Sequence, residues 1–65
     1  MNEMKFSLGE TVKITLSNVQ GTVVARAQYV NSENSYFVRH MNKNGDMAKV
    51  LFDESDLETT NEQSF

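Results

Sequence analysis

Few side chains in this sequence have the chemistry for catalysis. His40 is the single histidine and there is no cysteine, so neither a thiolate zinc site nor a disulfide framework is available. A nucleophilic centre would have to pair His40 with an acid such as Asp46 or Glu33 and recruit a serine, and no motif spaces these residues for that purpose. The chain therefore reads as non-enzymatic, with no catalytic residue and no cofactor, and His40 reads as a strand residue at the rim of the core. Asp53, Glu54, Asp56 and Glu58 crowd four carboxylates together. Hard cations favour such oxygen-rich sets, but the alternating acids and the glycine of a calcium loop are missing. The cluster reads as a solvated turn leading into a tail, not as a metal site.

The residues best suited to contact are Arg26, Tyr29, Phe37, Arg39 and Lys49, with Met41 a further member. If Arg26, Phe37 and Arg39 project outward from neighbouring strands, one face offers stacking and positive charge together. That combination suits single-stranded nucleic acid and equally a protein hot spot, where aromatics and arginine are enriched. The plainer alternative keeps Tyr29 in the core and treats the arginines as ordinary surface residues.

Charge narrows the choice of partner. The 65 residues carry six basic and nine acidic side chains, a net charge of -3. All six bases fall in residues 1–52 against four acids there, while five acids and no base follow from Asp53. Phosphate recognition normally draws on a dense basic patch, and six scattered bases are a weak version of one. No apolar run approaches the roughly 20 residues needed to cross a bilayer, and the polar first residues do not begin a signal peptide. These features predict a soluble protein of a reducing cytoplasm.

The elements that must position these side chains are strands. Thr11 to Ser17 alternates, with Val12, Ile14 and Leu16 on one side. Phe6 and Leu8 precede it as a lead-in that caps one end of a core. Asn18 to Gly21 supplies a turn, with the glycine free to take positive φ. Thr22 to Val30 is a second strand, long enough to bend and serve two halves of a barrel, with Val23, Ala25, Ala27 and Tyr29 sharing a face and the small alanines permitting close packing at the bend. Asn31 to Asn34 reads as a hairpin loop and Ser35 to Met41 as a third strand. Asn44-Gly45 then marks a second hairpin, followed by Met47 to Phe52. There Ala48, Val50 and Phe52 form the cleaner apolar set. A helical or 3-10 turn over Asp53 to Asp56, capped by the Asp53 carboxylate, would return Leu57 to the core. The reading is all-β: a small barrel of about five short antiparallel strands over residues 1–58, with an acidic, flexible tail at 59–65. Closing a short sheet into a barrel removes exposed edges.

Phe6-Ser7-Leu8-Gly9-Glu10-Thr11-Val12, Gly21-Thr22-Val23, Tyr36-Phe37-Val38 and Phe52-Asp53-Glu54 with Leu57 form a pattern that resembles the SH3-like barrels of the KOW and Tudor-like kind. It is similar, over Phe6 to Glu58, to a group of short, mostly uncharacterised proteins of tailed bacteriophages and prophages. These share the opening, a second strand matched by Gly21 to Tyr29, and the Phe-Asp-Glu-x-x-Leu closure. That group often has a tryptophan where this chain has Leu51. The resemblance would bury position 51, whereas alternation favours Val50 and Phe52, so that face stays open. The resemblance implies a phage-type accessory protein acting in the host cytoplasm by binding a host factor or phage component. A KOW-like nucleic-acid or transcription-machinery binder and a homodimeric structural component are the alternatives.

Overall fold

A computed structural model describes residues 3–60 of the chain. Its first strand, β1 (Thr11–Ile14), buries Val12 and Ile14 and turns Thr11 outward, as period-two alternation demands. The strand stops three residues short of the expected Ser17. The carbonyl of Ile14 accepts the N–H groups of Ser17 (3.2 Å) and Asn18 (2.8 Å), and Asn18 takes φ +63°. Asparagine tolerates this left-handed geometry better than most residues, so it, and not Gly21, makes the turn. Leu16 is carried out of the core with that turn and is 91% exposed. Leu8, expected to cap the core beside Phe6, also faces solvent, at 58% exposure.

The second strand, β2 (Gln20–Ala27), pairs with β1 at its start and with β3 (Ser35–Met41) along most of its length. Between Val23 and Ala25 its register against β3 shifts: Val23 lies opposite Val38, but Ala25 lies opposite Phe37. Val24 is thus the extra residue of a bulge. A bulge bends the strand and exchanges the faces of everything after it. The expected bend therefore falls on Val24 and not on the alanines. Gly21 serves a different purpose from a turn. A Cβ there would lie 2.5 Å from Val38 Cγ1 and 2.7 Å from the Arg39 carbonyl oxygen, so the strands approach more closely than any side chain allows.

Strand β4 (Met47–Asp53) returns after Asn42 to Asp46. Asn42 N–H donates to the Asp46 carbonyl (2.8 Å), and the Asn42 side-chain oxygen accepts from Asn44 N–H (2.9 Å) and Asp46 N–H (3.0 Å). Only Gly45 of the Asn-Gly pair takes positive φ, +86°. The loop is therefore a three-residue hairpin closed by a left-handed glycine, not a two-residue mirror-image turn. A 3-10 turn (Glu54–Asp56) and β5 (Leu57–Thr59) complete the chain. Asp53 does not cap that turn; its carboxylate accepts the Ser35 hydroxyl at 3.0 Å. Glu33 does the work instead, taking Ser55 N–H at 2.9 Å and the Ser55 hydroxyl at 3.2 Å. The acid that satisfies an orphan N–H need only be near in space.

The five strands form one antiparallel sheet in the order β4-β3-β2-β1-β5, with β4 and β5 as its outer strands. Phe6, Val12, Ile14, Val23, Tyr36, Val38 and Leu57 make the core, and Met4 and Phe52 pack against it. Phe6 meets Tyr36 edge to face at 5.2 Å between centroids, the orientation that ring quadrupoles favour. On β4 the register sorts the residues. Phe52 and Val50 lie opposite Tyr36 and Val38, whereas Leu51 lies opposite Phe37; Phe52 packs on the core, while Val50 and Leu51 are 40% and 45% exposed. Among the described residues no helix is long and apolar enough to cross a membrane. Most of the tail expected at 59–65 lies outside the described residues, and Thr59 itself ends β5.

Candidate functional site

Two constellations stand out, one inside and one outside. The inner one gathers on Tyr36, whose ring is fully buried while its hydroxyl reaches the edge of the core. That hydroxyl donates to Glu54 Oε1 at 2.5 Å and accepts the N–H groups of Lys5 (2.9 Å) and Phe6 (3.4 Å). The wholly buried Asn34 donates from Nδ2 to the Glu3 carbonyl (2.9 Å) and to Glu54 Oε1 (3.3 Å). Three separated segments are thereby tied together: the entry chain, the start of β3 and the 3-10 turn. The Oδ1 of Asn34 is buried without a hydrogen-bond partner.

The ionisation of this pair follows from its contacts. The hydrogen bond from Tyr36 holds the Glu54 carboxyl below its ordinary value, with Asn34 adding to the effect. Burial, and then the bond to Glu54, pushes the Tyr36 phenol up. A depressed carboxyl contributes stability above its unfolded value and loses it as pH falls through the folded one. A raised phenol contributes below about pH 10 and loses it in stronger alkali. Thermal unfolding is therefore expected to show a falling midpoint from about pH 5 downward, and Glu54→Gln should flatten that acid limb. An unchanged acid slope in Glu54→Gln would remove Glu54 as its source.

The outer constellation is the face of β2, β3 and β4 turned from the core. Phe37, Arg39 and Met41 on β3 stand opposite Leu51, Lys49 and Met47 on β4, and side chains opposite each other share a face. Val24, Phe37, Met41, Met47 and Leu51 are all substantially exposed. Val24, Ala25, Arg39, Met47, Ala48 and Lys49 line an open cleft of about 360 Å³ on this side. The Lys49 ammonium sits 5.9 Å from the centroid of the Phe37 ring, within cation-π reach. Arg39 and Lys49 are direct cross-strand neighbours, an arrangement of like charges that costs stability in the free protein.

The structure brings Phe37, Arg39 and Lys49 together and separates the other two expected contact residues. Because of the Val24 bulge, Arg26 lies opposite Tyr36 and not beside Phe37, and its guanidinium donates to the Phe6 carbonyl at 3.3 Å. Tyr29 falls in the loop after β2, 40% exposed, and is neither core nor part of this face. In their place come Val24 and Leu51, which sequence reading had not marked for contact. The adjacent Val23-Val24 pair was the available sign, since two β-branched apolar residues in succession cannot both be inward in a regular strand.

The acidic cluster disperses in the fold. Asp53 receives Ser35, Glu54 receives Tyr36 and Asn34, and Glu58 pairs with Lys13 at 3.6 Å. Among the described residues no group of three or more histidines or acids is arranged to hold a metal ion. His40 lies on the inner side of the sheet opposite Ala48, with its ring 6.4 Å from that of Phe52. Comparison with known proteins returned no matching family model, no matching curated protein and no matching solved structure.

Proposed function

We propose that this protein is a non-enzymatic binding module of the phage or prophage accessory type, with an SH3-like barrel architecture, acting through the outer face of β2, β3 and β4 on a protein partner in the cytoplasm. The observation that carries the binding reading is the juxtaposition of exposed Val24, Phe37, Leu51 and Met47 with Arg39 and Lys49 on one face. Apolar and aromatic contact area flanked by arginine is the composition of a protein hot spot. The partner that fits presents an aliphatic or aromatic side chain next to a carboxylate, which would also relieve the opposition of Arg39 and Lys49. The SH3-like and phage assignments rest on the sequence resemblance alone.

Nucleic acid is the second reading, favoured by the stacking surface of Phe37 between two cations. With Arg26 turned to the other side, only Arg39 and Lys49 remain to meet phosphates on this face, and the net charge of -3 works against a polyanion. The test is quantitative capture from host and infected-cell lysates, in parallel with titration of single- and double-stranded nucleic acid at low salt. Phe37→Ala and Arg39→Ala should each weaken capture of a defined partner about tenfold or more, whereas Leu16→Ala, in the remote turn, should leave it intact. Capture indifferent to Phe37 and Arg39 would exclude this face, and salt-sensitive nucleic-acid binding lost in the same two variants would establish the second reading instead.

A further inference from the structure

Strand β4 is an outer strand of the sheet, seven residues long, and it is apolar on both faces: Val50 and Leu51 are 40% and 45% exposed. Such an edge is a template for another strand unless something blunts it, and a lysine in the middle of the edge is a common blunting device. Lys49 has that position. It loses its blocking effect, however, if the incoming strand places an acid against it.

The backbone shows which groups the edge offers. At one end of the β3–β4 ladder Asn42 N–H donates to the Asp46 carbonyl, and at the other Glu54 N–H donates to the Asn34 carbonyl. With the unbroken register between them, hydrogen bonding alternates along an antiparallel strand. Ala48, Val50 and Phe52 therefore turn their N–H and C=O groups toward β3, while Met47, Lys49, Leu51 and Asp53 turn theirs to the open side. An incoming copy of the same strand can pair only where these odd-numbered residues meet one another.

Three such antiparallel registers lie within one residue of the middle of the strand, and the one centred on Lys49 sets that lysine against its own copy. Centred on Val50, Lys49 would face Leu51 of the second copy and Asp53 would face Met47, leaving both charges against apolar side chains. Centred on Leu51, Lys49 faces Asp53 of the second copy, Leu51 faces itself, and Val50 faces Phe52 on the opposite side of the sheet. The segment Lys49-Val50-Leu51-Phe52-Asp53 is thus complementary to its own reverse at every position.

We infer that two copies of this chain join through β4 edges in the Leu51-centred antiparallel register, forming a ten-stranded sheet across a two-fold axis. Opposite charges directly across strands and paired aliphatic side chains are the interactions that stabilise antiparallel sheets. Growth beyond two copies is not offered by the other edge, because β5 is only three residues long and its Glu58 is held by Lys13. The contact is isologous and closes on itself. It goes beyond the binding reading above and leaves Phe37, Arg39 and Val24 open on each half.

Sedimentation velocity over a wide concentration range tests the dimer. The wild-type chain should sediment at twice its own mass, and Lys49→Asp and Asp53→Lys should each raise the dissociation midpoint about tenfold by placing like charges across the axis twice. An equimolar mixture of the two variants restores opposite charges at both positions and should recover the dimer, as should the double variant. Asp53→Lys also removes the acceptor of the Ser35 hydroxyl, so a second readout is independent of it. Residues facing each other in a hydrogen-bonded pair have Cα atoms about 5.5 Å apart, within disulfide range. Leu51→Cys should therefore oxidise to a linked dimer, while Phe37→Cys, on the same face but off the axis, should not. A wild-type chain that stays monomeric at every concentration overturns the proposal, as does equal cross-linking at both positions. A monomer that still captures its protein partner would sink the dimer alone, and a dimer that captures nothing would sink only the binding reading.

Discussion

Replacing Tyr36 by alanine is expected to abolish the cooperative unfolding transition at 25 °C. Removing a fully buried aromatic ring costs about 3–5 kcal/mol in transfer and cavity terms. A domain of this length has about 3–10 kcal/mol in total. The loss here is larger than the ring alone, since the phenol also holds the Lys5 and Phe6 N–H groups and the Glu54 carboxylate. Tyr36→Phe separates the two contributions. It keeps the edge-to-face contact with Phe6 and strands three polar groups, at a cost of about 1–3 kcal/mol. Denaturant titration followed by far-ultraviolet circular dichroism gives both numbers. A Tyr36→Phe variant as stable as the wild type would mean that the hydroxyl network contributes nothing to the fold.

Gly21→Ala is the second large effect and arises without removing any contact. The added methyl meets a valine methyl that can rotate away and a backbone carbonyl, that of Arg39, which cannot. β2 and β3 must therefore move apart at the start of β2, next to the Thr22–Arg39 pair, at a cost of about 2–3 kcal/mol. Gly45→Ala provides the comparison. Position 45 has φ +86° but nothing within 4 Å of a new Cβ, so only the left-handed penalty of about 1–2 kcal/mol applies. The unfolding midpoint of Gly21→Ala should fall below that of Gly45→Ala. The reverse order would show that the strands part easily and that close approach at Gly21 is not what holds the pair.

These expectations also mark what could be read from residue order. Alternation sorted β3, where Tyr36 and Val38 are buried and Phe37 and Arg39 lie on the other side, but it left the face of β4 open, and there the register sets Val50 and Phe52 on the side of Tyr36 and Val38 while only Phe52 packs on the core. It failed at Leu16 because a turn beginning at Ile14 is as compatible with Thr-Leu-Ser as a strand is; the deciding factor was the left-handed Asn18. It failed at Asp53 for a different reason. A carboxylate next to a turn is an apparent cap, but Glu33, 22 positions away from Ser55, reached the N–H first, and no local pattern encodes that proximity. The contact face was half legible. Phe37, Arg39 and Lys49 followed from strand parity, while Arg26 and Tyr29 depended on a register shift that only the pairing of β2 with β3 reveals.

That shift has a consequence for how the outer surface could diversify. A chain lacking Val24 would pair regularly with Ala25 still opposite Phe37 and Arg26 still opposite Tyr36, so the deletion would take one exposed apolar side chain from this face and move no charge. The apolar area of this wall is thus adjustable by strand length with its electrostatics held fixed. A one-codon deletion would pare the greasy part of the surface alone, leaving Arg39 and Lys49 where they stand.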